Sequence, residues 1–205
     1  MPDENDKIVD IIQGKEKEKG SGNPVLLMIW ETVKVLVISL AIILPVRYYL
    51  VQPFFVKGAS MEPSFDDGDY LLIDEISYRF NGYQRGDTVV FRYPEDHTQF
   101  FIKRIIGLPG ETVEIKNNKV QIINKEFTDG FILKEDYLAS HQKTLGDIKV
   151  KLSDNEFYVL GDNRLQSSDS RRWGALDQAL ITGRAFIRPW PFTRFGVMPY
   201  YQYAY

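Results

Sequence analysis

Hydrophobic and polar positions divide the chain into unlike stretches. Residues 1–22 are polar and charge-dense, with Lys15-Glu16-Lys17-Glu18-Lys19 running into Gly20-Ser21-Gly22. Such a segment has too little apolar surface to offset its ordering entropy, so residues 1–24 read as a disordered tail. The next stretch is apolar. Between Leu26 and Val46 the charged residues are Glu31 and Lys34. About 21 residues make roughly 31 Å of helix, enough to span a bilayer. Glu31 and Lys34 stand three apart and can pair, and Lys34 can reach toward the interface. Trp30 at one end and Tyr48-Tyr49 at the other resemble interfacial aromatics. Residues 25–49 are therefore expected to form one transmembrane helix. No small-residue cleavage site follows the run, so it reads as an anchor and not as a removable targeting peptide. The tail lysines (Lys7, Lys15, Lys17, Lys19) outnumber Arg47 at the far end, which places the tail on the cytoplasmic side.

After the anchor the pattern shortens to strand-like runs. Residues 52–57, 70–76, 87–93, 100–107, 112–116, 119–123, 149–152, 156–160 and 181–187 are β-type. Turn signals separate several of them: Asn81-Gly82, Arg85-Gly86, and Asn117-Asn118 between two runs that suit a tight hairpin. Residues 127–146 are polar without a clean period and read as a loop-rich excursion. The aromatic ending from Met198 to Tyr205 fits a membrane-surface contact or a frayed tail. The predicted fold is mainly β: an antiparallel sheet or open barrel over residues 50–205, preceded by one N-terminal transmembrane helix. A smaller inserted subdomain is expected at about 111–155.

Composition narrows the chemistry. The chain has 205 residues, a formal net charge of -3 and no cysteine. Near-balanced charge gives a nucleic-acid partner no support. Without cysteine there is no disulfide framework, thiolate metal site or cysteine nucleophile. The two histidines, His97 and His141, both lie in polar stretches and read as solvated surface residues. A Ser-His-Asp triad has no support in the pattern.

Three blocks remain. The first is Gly58-Ala59-Ser60-Met61-Glu62-Pro63-Ser64. A serine hydroxyl is a poor nucleophile until a base takes its proton, and from its own block Ser60 reads as a turn-capping loop serine. The second is Phe100-Phe101-Ile102-Lys103-Arg104-Ile105-Ile106-Gly107. On a strand, Phe101, Lys103 and Ile105 share one face and Ile102, Arg104 and Ile106 the other, and neither face is polar. Lys103 there must reach solvent, pair, or lose its proton. At an ordinary pKa of about 10.4, fewer than roughly one lysine in a thousand is a free amine at pH 7, and burial raises that fraction. The third block runs from Gly161-Asp162-Asn163-Arg164 to Ser167-Ser168-Asp169-Ser170-Arg171. It reads either as an exposed salt-bridged loop or as a rigid loop that orients a base.

These blocks, with Gly86-Asp87-Thr88-Val89-Val90-Phe91, resemble in order the signature boxes of type I signal peptidases. Members of that family are membrane-anchored serine proteases that remove signal peptides, and the resemblance covers about residues 53–171 plus the anchor. It implies Ser60 as nucleophile and Lys103 as general base, a known variant of nucleophile–base logic. It further implies that Ser167 bonds the lysine, that Asp169 pairs with Arg171, and that Asp162 pairs with Arg104. The Ser60 N–H would be one oxyanion donor. Some members carry a second donor on a serine two residues earlier, where this chain has Gly58. Val56 and Ile102 match positions lining shallow pockets that suit an Ala-x-Ala site. The resemblance implies secretory precursors and the lipid bilayer as partners, no metal or organic cofactor, and a catalytic domain outside the cytoplasmic membrane. Two rivals are a soluble Ser/Lys self-cleaving regulator, which the short acidic tail disfavours, and a non-catalytic precursor-binding assembly protein, which Ser60 and Lys103 disfavour.

Overall fold

The computed structural model describes residues 23–45, 51–198, 201 and 203. Helix α1 runs from Pro24 to Pro45. Its mean hydropathy reaches 2.2 over Pro24–Leu44. Its apolar side chains, Leu26, Leu36 and Ile42 among them, are exposed, as lipid-facing residues must be. The one charged pair closes on itself, Lys34 Nζ standing 2.6 Å from Glu31. The expected tail over 1–22 lies outside the described residues, as does the far end of the expected span with Arg47, Tyr48 and Tyr49.

The second unit is built of antiparallel strands. The large sheet has the order β1-β2-β11-β3-β4-β9-β10, with β12 on β11. Its strands are β1 (Val51–Phe55), β2 (Tyr70–Asp74), β3 (Thr88–Tyr93), β4 (Asp96–Gly107), β9 (Glu156–Leu160), β10 (Leu176–Asp177), β11 (Ile181–Trp190) and β12 (Gly196–Val197). A four-stranded sheet, β7-β6-β5-β8, is formed by β5 (Thr112–Lys116), β6 (Lys119–Ile123), β7 (Phe131–Ile132) and β8 (Ile148–Lys151). Asn117 and Asn118, at φ of 51° and 61°, make the two-residue turn between β5 and β6.

Several elements differ from expectation. β4 starts at Asp96, because the Pro94-Glu95 turn pairs Tyr93 with Asp96 and carries the exposed His97 into the strand. β2 stops at Asp74, whose carboxylate accepts the N–H groups of Ile76 and Ser77 and turns the chain. The expected turn at Asn81-Gly82 is the end of a short helix, Tyr78–Asn81. Of the aromatic ending, Tyr203 is buried in a core with Ile106, Val113, Tyr158 and Leu160.

The second half of β4, from Lys103 to Gly107, is buried, whereas residues 97–100 are exposed. Ile105 packs with Val89, Phe91, Phe157 and Val159. Ile102 packs against a cluster that holds Val56, Met61, Leu71 and Val90. Ile106 enters the core shared with Val113 and Ile115 of the smaller sheet. The basic residues between these anchors, Lys103 and Arg104, are buried, at 3% and 6% exposure.

Candidate active site

The serine turn is set by residues on both sides of it. Gly58 takes φ +84°, and its N–H donates to Asp67 Oδ1 at 2.6 Å. A helical turn follows, with Phe65 N–H bonded to Met61 O, and Met61 and Phe65 sink into the core. Ser60 is held between the glycine bend and the Met61 anchor. Its carbonyl accepts from the Asn163 N–H at 3.1 Å, which fastens the turn to the third block.

Lys103 lies on β4 opposite Val89 and is 3 % exposed. Its Nζ donates to Ser60 Oγ at 2.8 Å and to Ile102 O at 2.7 Å. Burial pulls the amine down to about 8, against the opposing fields of Asp169 and Asp162. Desolvation wins because each carboxylate already has its own cation. When the amine is neutral, the same 2.8 Å contact runs the other way, from the serine hydroxyl to the nitrogen lone pair.

Asp162 and Asp169 are fully buried. Arg104 clasps Asp162 with two bonds, Nε to Oδ1 at 2.9 Å and Nη2 to Oδ2 at 2.6 Å. Arg104 Nη1 also donates to Gly86 O, and Nη2 to Ser64 Oγ at 3.3 Å. One guanidinium thus joins the serine turn, the lysine strand and the third block. Arg171 clasps Asp169 with Nε and Nη2, both at 2.8 Å. Asp169 also accepts from the Gly161 N–H and caps the short helix Ser170–Trp173.

The bond from Ser167 to Lys103 that the resemblance implies is not formed in this state. The Ser167 hydroxyl is buried and bonds to nothing among the described residues, while Nζ of Lys103 is occupied by Ser60 and Ile102. The side chain packs on Gly161, where a Cβ would stand 2.2 Å from Ser167 Oγ and 2.5 Å from Ser60 O. Gly161→Ala is therefore expected to push the serine turn away from the lysine. A fall in kcat of about tenfold or more, with about 1–3 kcal/mol of lost stability, follows from overpacking at such a site. Single-turnover cleavage and a denaturant midpoint check it.

Val56 and Ile102 both line an open cleft of about 710 Å³, together with Gly58, Ser60 and Lys103. Phe54, Phe100 and Gln166 extend its walls. Among the described residues no acceptor meets the Ser60 N–H, whereas the Gly58 N–H is engaged by Asp67. Asp67, Ser64 and Asn163 had no role assigned from the pattern. Their part is visible only through contacts across the turn, since nothing in Asp66-Asp67-Gly68 distinguishes a clamp from an ordinary acidic turn. Both histidines are exposed. No group of three or more His, Asp or Glu side chains is arranged to hold a metal among the described residues.

A buried lysine bonded to a serine in the lining of a cleft, on a mainly antiparallel β scaffold, is the arrangement expected of a Ser/Lys hydrolase. Residues 29–190 match the family described as signal peptidase, peptidase S26, and the chain belongs to that family of serine peptidases. It is 38% identical over 174 residues to a probable signal peptidase I-1 of Synechocystis sp., covering 81% of this chain and 85% of the relative. It is 31% identical over 172 residues to signal peptidase IB of Staphylococcus aureus, covering 77% and 87%. A crystal structure of a signal peptidase I from Enterococcus faecalis is 32% identical, covers 50% of this chain and 95% of its own, and gives a TM-score of 0.42.

Proposed function

We propose that this chain is a membrane-anchored serine endopeptidase that removes N-terminal signal peptides from secretory precursors, with Ser60 as nucleophile and Lys103 as base. The observation that carries the assignment is the 2.8 Å contact between Lys103 Nζ and Ser60 Oγ in the lining of the cleft. Neutral Lys103 takes the hydroxyl proton as Ser60 Oγ attacks the scissile carbonyl. The Ser60 N–H receives the developing oxyanion. The lysine ammonium returns its proton to the leaving amine, which departs as the new N-terminus of the mature protein. Lys103 then takes a proton from a water that attacks the acyl ester, and gives it to Ser60 Oγ as the carboxylic acid product leaves, which restores the neutral amine and the free serine.

Ser167, with its buried hydroxyl beside Gly161, orients the amine as the serine is consumed. Asp162–Arg104 and Asp169–Arg171 keep the third block rigid. Residues 54–58 and 99–103 line the cleft and would flank an extended peptide, with Val56 and Ile102 as the apolar lining that takes the small side chains of Ala-x-Ala. Residues 50–205 are the catalytic unit, and the sheet within 111–155 is an insert in it. Helix α1 tethers the chain to the bilayer and raises its effective concentration for membrane-held substrates. The tail lysines set the N-terminus inside and the catalytic unit outside.

The test is incubation of the full chain in detergent with a secretory precursor, the new N-terminus being identified by mass spectrometry. A cut directly after Ala-x-Ala is expected, and a chain that leaves precursors intact would sink the assignment. The pH dependence has a definite sign. Only the deprotonated amine is a base, so kcat/KM should climb as pH rises toward about 8 and level off above it. With chemistry limiting, a flat profile from pH 6 to 9 would remove the titrating lysine from the mechanism.

A further inference from the structure

Tyr137 stands in the excursion that lacks a regular pattern, yet it touches two buried arginines, Arg104 and Arg164. The Arg104 guanidinium lies 4.4 Å from the centre of the Tyr137 ring. The Tyr137 hydroxyl accepts from Arg164 Nη2 at 2.9 Å and donates to Glu135 Oε1 at 2.9 Å. Tyr203 OH stands 3.0 Å from the same hydroxyl. Arg164 is buried. Its other donors go to Glu135, Thr144 and Gly161 O, and its own carbonyl accepts from Arg171 at 2.6 Å.

Two further tyrosines hold Tyr137 in place. Tyr201 packs edge-on to its ring at 4.6 Å, donates to Lys134 O and accepts from the Asp136 N–H. The Tyr201 carbonyl also sits where a Cβ on Gly86 would be, 2.2 Å away, and Gly86 O is one of the Arg104 partners. Tyr203 is buried in the core that contains Ile106, three residues beyond Lys103.

We propose that Tyr137, clamped by Tyr201 and Tyr203, is a positioning residue for the catalytic amine: it holds Arg104 on Asp162 and Arg164 in the loop that carries Asp162 and Asp169. The charged groups that face Lys103 are Asp169 and Asp162, paired to Arg171 and Arg104. If Arg104 swings away, the Asp162 carboxylate is less neutralised and stabilises the ammonium form of Lys103. Desolvation holds the Tyr137 phenol well above its ordinary range, so it stays a neutral partner across the working pH. The role as a positioning device for catalysis rests on the proteolytic reading, whereas the effect on the amine itself does not.

The experiment follows that amine directly, by NMR of the full chain in detergent carrying lysine labelled with ¹³C at Cε, the Lys103 signal being assigned through Lys103→Arg. Tyr137→Leu removes ring and hydroxyl. The Lys103 midpoint is expected to rise by about half a pH unit or more, and Tyr137→Phe, which keeps the ring under Arg104, to bring most of that shift back. In the same samples kcat at pH 7 should fall about threefold with KM unchanged, in step with the loss of free amine. A folded Tyr137→Leu chain with an unmoved midpoint overturns the proposal. If that variant does not fold, Tyr203→Phe deletes a single hydroxyl of the clamp: a smaller upward shift supports the proposal, and none overturns it. A parent chain that titrates as stated but cleaves no precursor would sink the proteolytic reading and leave the clamp standing.

Discussion

Ser60→Ala and Lys103→Ala should each lower precursor cleavage by about 10⁴-fold or more while leaving the chain folded, and the double variant should be no worse than either single one. Two groups that carry out one proton transfer fail together, so their losses do not add. The geometry supports this coupling: Lys103 Nζ meets Ser60 Oγ at 2.8 Å, and Lys103 is 3 % exposed. Neither change should unfold the chain. Ser60 lies on a turn set by Gly58, Asp67 and Met61, and losing Lys103 removes a buried amine that is costly to ionise. Rates from single-turnover cleavage, with a thermal melt of each variant, decide the matter. Substantial activity in Lys103→Ala, or additive losses in the double variant, would mean that some other group takes the serine proton.

Asp162→Ala should have the largest effect on stability, about 3–5 kcal/mol, because it strands the Arg104 guanidinium in the interior. Both side chains are nearly sealed from solvent, at 7% and 0% exposure. Replacing both partners, Arg104→Met with Asp162→Leu, should recover most of that stability, since no uncompensated charge remains. It should not recover activity. Arg104 also bonds Ser64 of the serine turn and Gly86 O, so the double variant loses the tie between the three blocks. Denaturant midpoints and kcat on the same preparations separate the two effects. A double variant as unstable as Asp162→Ala would show that the pair matters for more than charge balance.

Much of the architecture could be read from local pattern. The apolar run became helix α1, with Glu31 and Lys34 paired as their spacing allows. The runs at 112–116, 119–123 and 156–160 became strands with those same limits, and Asn117-Asn118 became the turn. Errors gathered where a partner strand sets the end of an element. β4 begins earlier because β3 pairs with its polar half, and β11 runs on to Trp190 because β2 and β12 continue alongside it.

The candidate site divides along the same line. Residue types and their order marked Ser60, Lys103 and the acidic–basic third block, since a lysine with apolar residues on both faces of a strand is conspicuous without coordinates. Distances were not legible. Ser60 and Lys103 are 43 positions apart, and Arg104 and Asp162 are 58 apart. Nothing in a one-dimensional period reports which side chains meet across such gaps. The clamp of Asp67 on Gly58, the bond from Asn163 to the Ser60 carbonyl, the unpaired Ser167 hydroxyl and the stack of Tyr137 under Arg104 all arise from packing of distant segments. Helix, strand and turn follow from interactions within a few residues, which the order of side chains specifies directly. Burial among remote segments is what lowers the pKa of the Lys103 amine, and only the folded chain decides that.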